Sequence, residues 1–304
     1  MRSTAGIGPR TDTFPAVHGG PSRLIGHHNL RPHLYADDTQ IYGFCCPTAA
    51  AQLQQQVSVC IDDVAVWMQS NRLQLNTAKT EVLWCATSRR RYQRLQIGLR
   101  VGTDNVPSAS SVRDLGIYVD SDVSMRTHVS KTVSSCYAVL RQLRSIRRSV
   151  LPAVLQSLDA SLVLSRLNYG NATLYCLPGN QIDRLHSVMN AAARLVFSAR
   201  KYEHVTPLLR DLHWLLVSDR IEFKLSMLVF RCLHGTAPAY LSDELHRVAD
   251  SGTRRRLRST SSPALVVPTT RRTTIGDRSF PVAGTRVWNA LPSFVTDSST
   301  ISTF

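Results

Sequence analysis

The chain has 304 residues, 43% of them hydrophobic, which argues against wholesale disorder and leaves room for a sizeable core and two domains. Its charge is the outlier: 36 Lys and Arg against 21 Asp and Glu give +15, and every cation except Lys79, Lys131, Lys201 and Lys224 is an arginine. Arginine keeps its proton at any relevant pH and meets phosphate through a planar fork, so the partner expected is polyanionic, nucleic acid ahead of a membrane surface. The excess is +3 over residues 1–120, +6 over 121–250 and +6 over 251–304, which assigns most phosphate holding to the second half. Seven scattered cysteines form no C-x-x-C pair and are odd in number. That speaks against a disulfide scaffold or zinc finger and for a reducing compartment. No apolar run reaches the length of a membrane span, and no signal-peptide h-region opens the chain, so an intracellular protein is expected, in nucleus or cytoplasm.

Residues 1–32 are rich in Gly, Pro and His without periodicity and are expected to be irregular. From His33 the texture changes. "HLYADDTQIYGF" sets Asp37 and Asp38 among aromatic and β-branched residues, which predicts strand, tight turn, strand. Two ionised neighbours repel and help bury nothing. They mark either an ordinary Asp-Asp turn or a hairpin tip that holds a divalent metal. Apolar residues at Leu53, Val57, Cys60, Ile61, Val64, Trp67 and Met68 then draw one helical stripe, with Thr48 as the expected N-cap and Asn71 as a left-handed end. After the loop "NTAK" come three strand-like segments, "TEVLWCA", "LQIGLRV" and "DLGIYVD". Residues 33–120 therefore read as an α+β domain: hairpin, helix and small antiparallel sheet.

After Asp120 the pattern turns helical. Met125, Val129, Val133, Cys136, Leu140 and Leu143 step by 3 and 4, while Arg141, Arg144 and Arg148 at i, i+3 and i+7 are expected to project together. Further helices are predicted from Leu151-Pro152, from about Asn180 to Phe197, and from Ser218 to Gly235, giving an all-α domain over 121–250. Residues 251–304 read as a basic, mostly irregular tail. Within it "TRRRLR", with Arg254, Arg255 and Arg256, is a phosphate contact, an import signal or a disordered run, and "VAGTRVWNALP" carries a tryptophan able to dock.

Tyr-Ala-Asp-Asp at such a tip resembles the catalytic hairpin of reverse transcriptases, and its neighbourhood sharpens the likeness. "HLYADDTQIYG", the helix ending in "WMQSNRLQLNTAKTEVL", and "VRDLGIYVDSDVSM" resemble the second half of a LINE-type (non-LTR) retrotransposon reverse transcriptase. Asn76, Lys79 and Thr80 match its Asn-x-x-Lys-Thr turn, and Leu115, Gly116 and Asp120 match the strand leading into its thumb. The resemblance runs in order over about residues 30–300. It implies the C-terminal half of a polymerase palm followed by a thumb-like helical domain. It also implies RNA-directed DNA polymerase chemistry, with an RNA template, a DNA primer and Mg²⁺. In the family's terms Asp37 is the principal metal ligand and Asp38 the supporting one. Lys79 stands near the leaving pyrophosphate, and Tyr35 beside the bound nucleic acid.

Phosphoryl transfer of this kind needs two Mg²⁺ ions clamped by carboxylates that converge from different strands. The family's first metal-binding aspartate lies on an earlier strand, above a Gln-Gly segment. Here only Asp12, in "RTDTFP", precedes Tyr35, and residues 1–32 contain no Gln-Gly. The expectation is a fragment without fingers and half a palm, inactive as a polymerase, its hairpin left with an exposed apolar face. The competing function is a non-catalytic nucleic-acid-binding module using Arg141, Arg144, Arg148 and Arg254–Arg256. A functionless transposon remnant is the third alternative, and a metal-dependent nuclease using Asp37, Asp38 and a histidine a distant fourth.

Overall fold

The structure, a computed structural model, describes residues 20–86, 98–250, 264–270 and 273–304. The chain divides into two units, Met1–Val112 and Arg113–Phe304. The first contains a helix (α1, Pro21–His27), a strand pair (β1, Arg31–Tyr35; β2, Asp38–Tyr42), a long helix (α2, Ala50–Ser70) and a second pair (β3, Leu99–Val101; β4, Asp104–Val106). Residues 20–32 are thus not irregular: Pro21 opens α1, and Ile25 and Leu30 are buried. The hairpin forms where the sequence places it.

The two sides of α2 serve two small cores. Leu53, Cys60 and Val64 pack with Ile25 and Leu30, while Ile61 packs with Leu99 and Val101; Ile41 and Val57 touch both groups. His28 Nε2 meets Asp63 at 2.7 Å, and Arg100 pairs with Asp62, tying both flanks of the helix. The ends of α2 differ from expectation. Thr48 is not an N-cap, because Pro47 starts a 3-10 turn (Pro47–Ala49) that leads into the helix. Asn71 keeps φ −97° and the left-handed residue is Arg72 at φ 58°. Leu73 N–H donates to Met68 O (2.8 Å) and Arg72 N–H to Gln69 O (3.0 Å), a Schellman closure around a non-glycine residue.

The expected sheet is replaced by three separate two-stranded pairs. "TEVLWCA" forms no strand. Val82 bridges Ser108 once, and Val82 and Trp84 pack their side chains into the two cores instead of extending a ladder. The strand read in "LQIGLRV" is β3 at its end; residues 87–97 lie outside the described part. "DLGIYVD" is not one strand but a turn between β5 (Ser111–Asp114) and β6 (Ile117–Asp120). Leu115 and Gly116 both take positive φ, 43° and 85°, as a two-residue type I′ turn requires. The Tyr169 hydroxyl donates to Leu115 O, and a Cβ on Gly116 would lie 3.0 Å from the Tyr169 ring.

The second unit is built on helices α3 (Arg126–Ile146), α4 (Pro152–Asp159), α5 (Ser165–Asn168), α6 (Gly179–Phe197), α7 (Val205–Asp211), α8 (Val217–Leu233) and α9 (Ala239–Ser242). The α3 stripe is buried at every position from Met125 to Leu143 that the spacing selects, against Leu185, Val188, Met189 and Ala192 of α6. Met125, at φ 61°, supplies no cap to α3. Asp120 does so from the end of β6: its Oδ2 accepts Thr127 N–H (3.2 Å) and Ser124 Oγ–H (3.1 Å). Asp122 accepts Ser124 N–H and pairs with Arg126 at 2.6 Å; burial opposes ionisation, but these bonds hold its carboxyl below the usual range.

The described part of the C-terminal segment is not irregular. It forms α10 (Thr273–Gly276), α11 (Phe280–Ala290) and α12 (Ser293–Thr296). Trp288 is 2% exposed against Val229, Phe230 and Leu265. Asn289 pairs with the Leu265 peptide through both ends of its amide, at 2.8 and 2.9 Å. Arg278 donates to Val123 O and to Thr173 O, and Asp277 pairs with Arg286 at 3.0 Å. No helix among the described residues is long and apolar enough to cross a membrane.

One core residue breaks the apolar rule. Asp159 is fully buried at the last position of α4, where the chain passes into a π-helical turn (Ala160–Leu164), and neither of its oxygens has a hydrogen-bond partner. Burial pushes its carboxyl up to about 7. The folded state then keeps a proton that the unfolded chain releases near pH ~4, so this contribution is complete below ~4 and is lost as pH rises to about 7. Between about pH 5 and about pH 8 the native protein should lose roughly 2–3 kcal/mol of urea-measured stability that Asp159→Asn does not lose. Equal slopes in the two proteins would show that Asp159 is not a buried neutral acid.

Candidate functional site

Tyr35 pairs with Asp38, so Ala36 and Asp37 form a two-residue turn. Ala36 takes φ 52°, a left-handed position at which a Cβ costs roughly 1–2 kcal/mol. Partners across an antiparallel pair share a face. Pro32, Leu34, Thr39 and Ile41 therefore occupy one face, and Ile41 reaches the cores beneath it. Arg31, His33, Tyr35, Asp38, Gln40 and Tyr42 occupy the other. On that face Tyr35 is 61% and Tyr42 49% exposed, and Phe44 just beyond is 80% exposed with the Arg31 guanidinium 5.6 Å from its ring centre.

Asp37 and Asp38 are both exposed and make no hydrogen bond or ion pair. Two carboxylates a few ångströms apart in water repel by about 0.5–1 kcal/mol, and no cation among the described residues pairs with them. The donor set is right in kind for Mg²⁺, which takes hard oxygen ligands and keeps several waters. It is short in number. Among the described residues no group of three or more His, Cys, Asp or Glu side chains converges, so the pair fits one hydrated ion and not the two that in-line transfer uses. Asp12 lies outside the described residues.

Lys79 closes a 3-10 turn (Thr77–Lys79), and the turn explains the Asn-x-x-Lys-Thr spacing. Asn76 Oδ1 accepts Lys79 N–H (3.2 Å) and Thr80 Oγ–H donates to Asn76 O (3.0 Å), which leaves the Lys79 side chain exposed.

Arg141 and Arg144 are exposed on α3 and make no hydrogen bond or ion pair, whereas Arg148 falls in a 3-10 turn (Arg147–Ser149) and leaves their stripe. The expected three-residue row is thus two residues plus one displaced. Sequence reasoning missed what the row belongs to. Ser130, Tyr137, Arg141 and Arg144 stand at i, i+7, i+11 and i+14, one flank of α3. Ser130 accepts from Arg184, and Tyr137 bonds Ser187, both on α6 (3.1 Å each), so the arginines continue the seam between the two helices. Arg254, Arg255 and Arg256 lie outside the described residues. All seven cysteines are free thiols.

No protein-family model matches the chain, no curated protein is similar to it, and no solved structure matches it. The turn can be tested on its own. Ala36→Gly should raise stability by about 0.5–1 kcal/mol by removing the left-handed Cβ, and Asn76→Ala should lower it by about 1 kcal/mol by removing a cap. Urea unfolding of both variants measures this, and destabilisation by Ala36→Gly would contradict the turn geometry.

Proposed function

We propose that the chain carries the catalytic hairpin and thumb-like part of an RNA-directed DNA polymerase of the LINE-type reverse-transcriptase family, acting inside the cell on an RNA template and DNA primer. The observation that carries this is the presentation of Asp37 and Asp38, adjacent, exposed and unpaired, on a two-residue hairpin beside Tyr35. An acid pair that served only to turn the chain would gain nothing from Tyr35 standing exposed beside it. Bound magnesium would supply charge neutralisation for the transferring phosphoryl group. With two carboxylates on one turn, the chain alone does not fix a metal pair, and alone it does not extend a primer. Lys79 is the candidate cation for the leaving pyrophosphate.

A second function, non-catalytic binding of an RNA–DNA duplex, is favoured by Arg141 and Arg144, which pair with no acid among the described residues. Arg148 and Arg254–Arg256 add to it. The two are separated by paired assays. Primer extension on an RNA template with Mg²⁺ should give no incorporation, and incorporation abolished by Asp37→Ala would overturn the inactivity and make the chain an enzyme. Duplex affinity should fall steeply with salt. Replacing Arg141 and Arg144 by Gln should reduce the log–log slope by about 1–2. A salt-independent affinity would remove the phosphate contacts from the account.

A further inference from the structure

Between α6 and α7 lies a cleft of about 470 Å³ whose polar lining is Asp183, His186, Ser187, Asn190 and Thr206 and whose apolar lining includes Leu209 and Leu216. Asp183, His186 and Asn190 stand at i, i+3 and i+7 and so stack along one face of α6. His186 is already committed on one side: its Nε2 accepts Val217 N–H at 3.2 Å. Ser187 is committed too, to Tyr137 and to Arg184 O. The side chains of Asp183, Asn190 and Thr206 are not: none makes a hydrogen bond or ion pair among the described residues.

The cleft therefore offers one full negative charge, an amide and a hydroxyl, all uncommitted, beside leucine side chains. Each rival ligand class meets an obstacle. A phosphate or nucleic-acid strand would face the Asp183 carboxylate. A neutral apolar ligand would cover that charge without compensating it, at a cost. A tightly held metal ion would need further ligands, and no three-residue ligating group occurs among the described residues.

We propose that this cleft binds an organic cation carried on a short apolar stem, the chemistry of an arginine or lysine side chain. Asp183 takes the charge, Asn190 and Thr206 accept its remaining N–H groups, and Leu209 and Leu216 cover the methylenes. The site is independent of the nucleotidyl-transfer hairpin and lies wholly within the helical unit.

Three probes test it on the full chain by amide NMR titration: butylguanidinium, N-acetyl-arginine methylamide, and the neutral isostere butylurea. Both cations should shift the resonances of residues 183–190 and of Thr206 and saturate at millimolar concentration, while butylurea should not. Asp183→Asn, an exposed change that leaves the fold intact by circular dichroism, should weaken the cations by about tenfold, the loss of one charge-assisted contact. Tighter binding of the peptide-borne arginine identifies a protein side chain as the occupant, and tighter butylguanidinium a free small cation. No shift by either cation up to about 50 mM, equal binding of butylurea, or unchanged affinity in Asp183→Asn would each overturn the proposal.

Discussion

Ile41 sets what the hairpin shows to solvent. It is the one β2 side chain that packs into both small cores of the first unit, and a strand's side chains alternate with period two. Anchoring Ile41 inward therefore forces Asp38, Gln40 and Tyr42 outward, and the pairing of Tyr35 with Asp38 sends Tyr35 the same way. A slip of one residue would put Gln40 or Tyr42 in its place and turn an isoleucine toward solvent. The acid pair keeps its place because of an aliphatic contact on the opposite face. The turn then concentrates its cost on Ala36, whose left-handed φ a glycine would take without strain.

The helical unit is held by longer-range devices. The Met125–Leu143 stripe joins α3 to α6, but the start of α3 depends on Asp120, five residues before the cap position, and the loop that carries Asp122 and Ser124 is gripped again by Arg278 from the far end of the chain. Asn289 performs the same service for Leu265, standing in for a strand partner with a side-chain amide. Gly284 lets α11 approach α8 closely, since a Cβ there would meet Val229 Cγ2 at 2.9 Å. The segment around "GDRSFPVAGTRVWNALP" thus works as a clasp on the helices that precede it.

This division explains what could be seen in the sequence. Stripes of 3 and 4 and a run of β-branched residues around two acids are local patterns, so α2, α3, α6, α8 and the hairpin were visible in the residues themselves. The failures lie where a local signal competes or where none exists. "DLGIYVD" alternates like one strand, and Leu115 is a poor residue for positive φ, so its turn is masked. Thr48 is a good cap by type, but Pro47 starts the turn one residue earlier. Arg278 and Asn289 find partners far away along the chain, and composition alone reads them as tail, whereas Trp288 docks as its segment suggested. The cleft of Asp183 was hidden for the same reason: its helical spacing is in the sequence, but Thr206 and Leu209 come to it from another helix.

The carboxylates of this chain also divide by the dielectric around them. Asp159 is fully buried with neither oxygen hydrogen-bonded, so the cheaper state is the neutral acid, at the point where α4 passes into a π-helical turn. Asp37 and Asp38 are exposed to solvent, where two neighbouring carboxylates repel only weakly. A buried acid without a partner penalises the fold as pH rises; an exposed pair without a partner penalises it little and leaves a concentrated negative field at a hairpin tip. Selection for stability alone would remove the first and ignore the second. Asp62, Asp122 and Asp277 stand between the two cases, each held against an arginine.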